Sequence, residues 1–173
     1  MGRRVGRDRR PAQRNRGSGR DHGESRKAKP GAPTLQIYLD YQCPWCKTLE
    51  DTHGKTIEEL AAAGDINLVY STKTFLDPGL RNDASYRSAV AAACADVAGV
   101  YAAYHDEVFA NQPTTEGEGY STDQLRTTFA QAAGINGDKL TAFQQCYDAR
   151  TFGNFVKGVE EASAKAGVNT TPR

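Results

Sequence analysis

The strongest constraint on this chain is the order of its segments between residues 35 and 72. An alternating apolar run, LQIYLDY (35–41), leads directly into QCPWCK (42–47). A helical pattern follows, and a second apolar run, INLVYST (66–72), closes the segment. Ile, Leu and Tyr in alternation predict a strand over 35–41. Pro44 suits the first turn of a helix, where its missing N–H costs nothing. Trp45, Leu49, Ile57, Leu60 and Ala61 recur through Ala63 at helical spacing, and Gly64 supplies a C-terminal stop. Strand, helix and strand within about forty residues predict one right-handed βαβ unit with parallel strands.

Beyond residue 75 the pattern turns helical. FLDPGLRND reads as a loop. Residues 84–112 read as one long helix, with Val90, Cys94, Val97, Tyr101, Tyr104 and Val108 on one stripe and alanines on its flanks. PTTEGEGYS is a loop, and Ser121 with Gln124 forms a capping box for TDQLRTTFAQAAG. GDKLTAFQQCYDA and TFGNFVKGVEEASAKAG predict two more helices, the second ended by Gly167. The predicted class is therefore α/β: 31–75 a βαβ start, 82–166 helical, and 167–173 a third strand only beginning. No internal repeat is visible.

The formal net charge of +1 conceals a division. Residues 1–30 carry 11 Arg and Lys against 3 acids, and the rest carries 11 against 18. The arm 1–30 has one valine as its only strong hydrophobe after Met1, too little apolar area to offset its ordering entropy, so disorder is expected there. A polyanion-binding role for this arm is an alternative reading. The acidic remainder argues against a nucleic-acid surface. Arg3-Arg4 is not followed by an apolar stretch, and neither a signal peptide nor a membrane anchor is predicted.

Cys43 and Cys46 admit three readings. A structural zinc site needs four ligands, usually as two knuckles; Cys94 and Cys146 stand alone 52 residues apart, and His53 and His105 have no close sequence partner. A purely structural 43–46 bridge closes too short a loop to restrain the unfolded chain. The reactive reading follows from position. At the start of a helix, unpaired N–H groups and the helix dipole favour an anion, lowering the thiol pKa of Cys43. Cys46, one turn in, is placed to attack a mixed disulfide formed by Cys43. A CxxC between strand and helix in a βαβ unit is a more specific signal than CxxC alone. His53 is expected to be solvated and His105 structural.

With DYQCPWC on its strand, the alanine-rich helix with YAAYHDEVFANQ, the capped STDQL helix and AGVNTTP, the chain resembles the DsbA-like thioredoxin-fold family, from about Gly31 to Pro172. The resemblance implies a thioredoxin-like fold with an inserted helical domain. It further implies that Cys43 and Cys46 are the redox centre and that Pro44 and Trp45 tune its potential. Thr171-Pro172 matches the family's cis-proline loop, which faces substrate. The family fold continues with a β-hairpin and a last helix, so the chain is expected to be truncated after this loop. Two positions depart from the family pattern. Ile37 stands six before Cys43, where an acid is common, and Thr170 stands where glycine commonly precedes the Thr-Pro pair. Asp40 is expected to cap or solvate the strand end. Cys94 and Cys146 are either buried free thiols or, as in some relatives, a bridge between two helices, the latter favoured if the protein is exported.

The function so implied is thiol–disulfide oxidoreduction in the cell envelope, introducing disulfides into exported proteins. Its partners would be reduced or unfolded proteins and a membrane quinone-linked reoxidase of the DsbB or VKOR kind. No cofactor or metal is expected, and the protein is expected to be monomeric. Alternatives are a reductase or isomerase on the same fold, or an inactive fragment with a basic binding arm.

Overall fold

The computed structural model describes residues 28–173. The expected disorder of the arm falls, for residues 1–27, outside the described residues. The chain is already engaged at Lys29, whose N–H donates to Gly64 O at 2.8 Å and whose ammonium pairs with Asp65 at 2.5 Å.

Strand β1 (Thr34–Leu39) and strand β2 (Asn67–Thr72) pair in parallel, with Ile37 opposite Tyr70. Alternation sends Ile37 and Leu39 into the core and turns Gln36 outward, while Leu35, on the face of Ile37, is exposed at the start of the strand. The connection is helical throughout: α1 (Pro44–Leu49), a π-helical turn (Glu50–Gly54) and α2 (Lys55–Ala63), closed by Gly64 in the left-handed region at φ 76°. The free edge of β1 is met by the chain's other end. Tyr38 N–H donates to Arg173 O (2.8 Å) and Arg173 N–H donates to Tyr38 O (3.1 Å). Such a doubly bonded pair is the antiparallel kind.

FLDPGLRND is not a plain loop. Leu76–Leu80 forms a short helix, α3, because Pro78 falls within its first turn, where a missing N–H is tolerated. The expected single helix over 84–112 is two: α4 (Ala84–Ala98) and α5 (Tyr101–Ala110). Gly99 at φ 87° ends the first in a left-handed cap. Val97, on the expected stripe in the last turn of α4, is 65% exposed. Residues 84–96 of α4 are buried on almost every side, including Ala89, Ala91, Ala92, Ala93 and Ala95. Alanine lets neighbours approach closely from several directions, so α4 is the central pillar of the helical part.

Ser121 and Gln124 form the expected reciprocal cap, each backbone N–H donating to the other's side chain at 2.8 and 3.1 Å. The segment they start contains a π-helical turn (Gln124–Thr128) and α6 (Phe129–Ala132). Helices α7 (Gly137–Asp148) and α8 (Gly153–Lys165) complete the set. Cys94 of α4 and Cys146 of α7 are joined by a disulfide with Cα atoms 6.0 Å apart. A buried ion pair ties α8 to the end of β2. Lys73 Nζ lies 2.9 Å from Glu160 Oε1, and Glu160 Oε2 accepts from Thr74 N–H at 2.8 Å. None of the described helices is long and apolar enough to cross a membrane.

Candidate active site

The site is built on the turn between β1 and α1. Asp40 Oδ1 accepts from Gln42 N–H at 2.9 Å, and Asp40 O accepts from Cys43 N–H at 3.0 Å. Side-chain capping of the backbone two residues on is a common use of aspartate in turns. Cys43 occupies the N-cap of α1 with extended backbone (φ −77°, ψ 119°), Pro44 follows, and Cys43 O accepts from the N–H groups of Cys46 and Lys47. The turn is held from the far side by Gln112 and Tyr120. Gln112 Nε2 donates to Tyr41 O (2.8 Å) and Cys43 O (3.1 Å), and Tyr120 O–H donates to Tyr41 O (2.9 Å).

Cys43 and Cys46 are both free thiols, the first 5% and the second 1% exposed. The Cys43 thiol is pushed down to about 6, chiefly by a hydrogen bond from Cys46, then by Thr171 and the backbone amides of Cys46 and Trp45, against the opposing effect of burial. Cys46 is driven strongly upward, first by the neighbouring Cys43 sulfur and then by burial. One sulfur is thus held ready as an anion and the other kept protonated.

The last residues of the chain close over this pair. The Thr171–Pro172 peptide is cis, and Cys43 Sγ lies 3.5 Å from Thr171 O. The Thr171 hydroxyl is buried without an oxygen or nitrogen partner among the described residues. It faces both sulfurs and lowers the pKa of each. Trp45, by contrast, projects outward at 72% exposure beside an exposed Pro44. The structure therefore brings together Cys43, Pro44, Trp45, Cys46, Thr171 and Pro172, although 125 positions separate Cys46 from Thr171 in the sequence.

A family model described as thioredoxin matches residues 27–173. The chain belongs to the thioredoxin family. Similar solved structures of this fold are DsbA-type proteins. The reduced disulfide bond oxidoreductase DsbG of Mycobacterium tuberculosis superposes with a TM-score of 0.70 at 23% identity, covering 94% of this chain and 76% of that one. MdbA of Corynebacterium diphtheriae, described as a thiol-disulfide oxidoreductase, gives 0.72 at 19% identity over 87% and 77%. Oxidised BdbD of Bacillus subtilis gives 0.68 at 24% over 84% and 77%. No curated protein matches the sequence significantly.

Of the other residues of this thioredoxin-family site, Asp40 caps the turn as expected but is placed differently in one respect. Asp40 does not solvate the strand end. Its carboxyl is wholly buried, accepting from Ser85 O–H at 2.6 Å as well as from Gln42, and burial pushes its pKa up to about 7. Ser85 belongs to a wider polar cluster in which Gln42 Nε2, with two protons to share, lies 2.9 Å from each of Asp77 Oδ1, Asn82 Oδ1 and Ser85 Oγ. Gly119, at φ 69°, passes so close that a Cβ would stand 2.6 Å from Ala84 Cβ. Sequence reasoning missed Gln42, Gln112 and Tyr120, whose partners lie 35 to 79 residues away. The only hint was polar residues beside apolar runs. Ile37 is an ordinary core residue, His53 is exposed and His105 is buried. Among the described residues no group of three or more His, Cys, Asp or Glu side chains is disposed to hold a metal ion.

Proposed function

We propose that this protein is a thiol–disulfide oxidoreductase that introduces disulfides into exported proteins. Cys43 is the exchanging sulfur and Cys46 the resolving one. The reading is carried by two free thiols at a helix start, Cys43 at the N-cap with Thr171 O 3.5 Å from its sulfur and Cys46 buried one turn in. Starting from the Cys43–Cys46 disulfide, a substrate thiolate attacks Cys43 Sγ. The S–S bond breaks, Cys46 leaves as a thiolate and takes up a proton. A second substrate thiolate then attacks the substrate sulfur of the mixed disulfide. The substrate disulfide forms and Cys43 departs as a thiolate. Two electrons pass from substrate to enzyme.

The oxidising direction is supported by what the fold stabilises. A stabilised Cys43 thiolate is both a good leaving group and a lowered energy for the reduced form, which makes the disulfide more oxidising. Thr171 O beside Cys43 offers a backbone acceptor to an extended substrate segment, in the manner of strand addition, with the exposed Trp45 and Pro44 alongside. Pro44 and Trp45 set the potential through their contact with the helix start. Reoxidation is assigned to a membrane quinone-linked partner. The Cys94–Cys146 bridge supports an oxidising, extracytoplasmic setting.

The test is equilibration with glutathione buffers, together with dithiol oxidation of a reduced substrate by wild type and Cys43→Ala. A potential well above the ~−270 mV of thioredoxin, with activity lost in Cys43→Ala, is expected. A potential near −270 mV would reassign the protein as a reductase, and equal activity in both proteins would remove the catalytic reading.

A further inference from the structure

His105 has no part in the exchange steps above, yet it is among the most deeply buried ionisable groups, at 1% exposure. Its two nitrogens face different parts of the active-site segment. Nδ1 lies 3.0 Å from the Tyr41 hydroxyl, and Nε2 lies 3.3 Å from Glu50 Oε1, an ion-pair contact longer than a well-aligned hydrogen bond. Tyr41 stands two residues before Cys43, and Glu50 four residues after Cys46. The ring is fixed among aromatic neighbours, 4.6 Å from Tyr70 and 4.9 Å from Phe109 between centroids. Glu50 sits in the π-helical turn, where Gly54 leaves it room; a Cβ at Gly54 would stand 2.7 Å from Glu50 Oε2. Nδ1 is at hydrogen-bond distance from the Tyr41 hydroxyl, which also lies 3.4 Å from the Tyr101 hydroxyl, while Nε2 makes no hydrogen bond and meets Glu50 only in that ion-pair contact.

We propose that His105 is a positioning residue for the Cys43/Cys46 pair. From α5 it grips Tyr41 in front of the pair and Glu50 behind it, and so fixes the helix start that carries both sulfurs. This rests on the redox reading of the pair given above. The buried ring has one nitrogen hydrogen-bonded to Tyr41 and the other facing only the Glu50 carboxylate, so displacing either neighbour costs the ring a buried polar contact. The arrangement matters here because the Cys43 thiolate depends on amides and a thiol at hydrogen-bond distance, where small displacements are felt.

The test compares wild type, Tyr41→Phe, His105→Phe and Glu50→Gln, each measured for unfolding stability, for thiolate absorbance against pH and for its equilibrium constant with glutathione. Positioning predicts that all three variants shift the Cys43 titration upward and make the disulfide less oxidising. His105→Phe should move it most, by about one pKa unit and about tenfold in the equilibrium constant. Tyr41→Phe removes a single oxygen and serves if His105→Phe does not fold. A loss of stability with an unmoved titration overturns the proposal, leaving His105 a packing residue. A downward shift in Glu50→Gln alone also overturns it, since that is the signature of simple charge removal. A wild type with no reversible couple sinks the redox reading and this inference together, which separates that failure from the other two.

Discussion

The carbonyl oxygen of Thr171 lies 3.5 Å from the sulfur of Cys43, a contact that spans 128 residues of chain. It makes the last described loop part of the same site as the helix start, and it requires that the intervening helices deliver the loop to one place. Helix α8 and Val168, which is buried, form the last step of that delivery.

Removing the inner sulfur should trap the exchange halfway. Given a disulfide-bonded substrate, the Cys43 thiolate of Cys46→Ala attacks it and expels one substrate thiolate; the mixed disulfide then has no internal attacker, so covalent complexes should accumulate on non-reducing gels. Cys43→Ala should show none. Equal trapping by both variants would mean that the outer sulfur is not the one that meets substrate.

Asp40 should impose a pH dependence on stability. Its pKa rises from the ordinary 3.8 to about 7 in the folded protein because burial disfavours the anion. Between those values the folded state holds a proton that the unfolded state has released. Stability therefore falls as pH rises through this window, by roughly 1.4 kcal/mol per unit of separation, and levels off above it. Asp40→Asn cannot ionise, so urea unfolding of wild type and variant should diverge from about pH 4 to about 7. Parallel curves across that range would mean that the carboxyl is not held neutral.

Glu160→Ala should be among the most damaging single changes outside the redox pair. It leaves the ammonium of Lys73, 1% exposed, without its carboxylate and strands the Thr74 N–H. Breaking a buried pair by removing one partner costs about 3–5 kcal/mol. Chemical denaturation should show that loss, and a change below about 1 kcal/mol would assign Lys73 another anchor.

The Cys94–Cys146 bridge closes a 52-residue separation, worth about 4 kcal/mol in the chain-entropy model. The double alanine variant should unfold at correspondingly lower urea while keeping the Cys43 titration, because the bridge joins α4 to α7 and neither helix carries a redox sulfur. A matching midpoint in both proteins would show that the reduced chain is already restrained.

The βαβ unit was legible because Ile37 and Leu39 alternate inward while Trp45 to Ala61 follow a helical period, two patterns that depend on neighbours alone. The Ser121–Gln124 cap was legible for the same reason. The break at Gly99 was hidden by apolar spacing that runs on across it through Tyr101 and Tyr104, and α3 was hidden by a proline and a glycine in five residues. Asp40 was misjudged because its burial is decided by Ser85, 45 residues away. Likewise the Tyr41–His105–Glu50 chain needs α5 folded back against the π-helical turn, which no local pattern announces.

The measurement closest to the central claim is the absorbance of thiolate near 240 nm in the reduced protein, followed from pH 4 to 10 with Cys43→Ser as the reference. One thiol should ionise near pH 6 and disappear in the variant, with the second silent across the range. A single transition at the usual thiol value of about 8.5 would contradict the account, because the Cys46 thiol, Thr171 and the helix-start amides would then not be stabilising the anion.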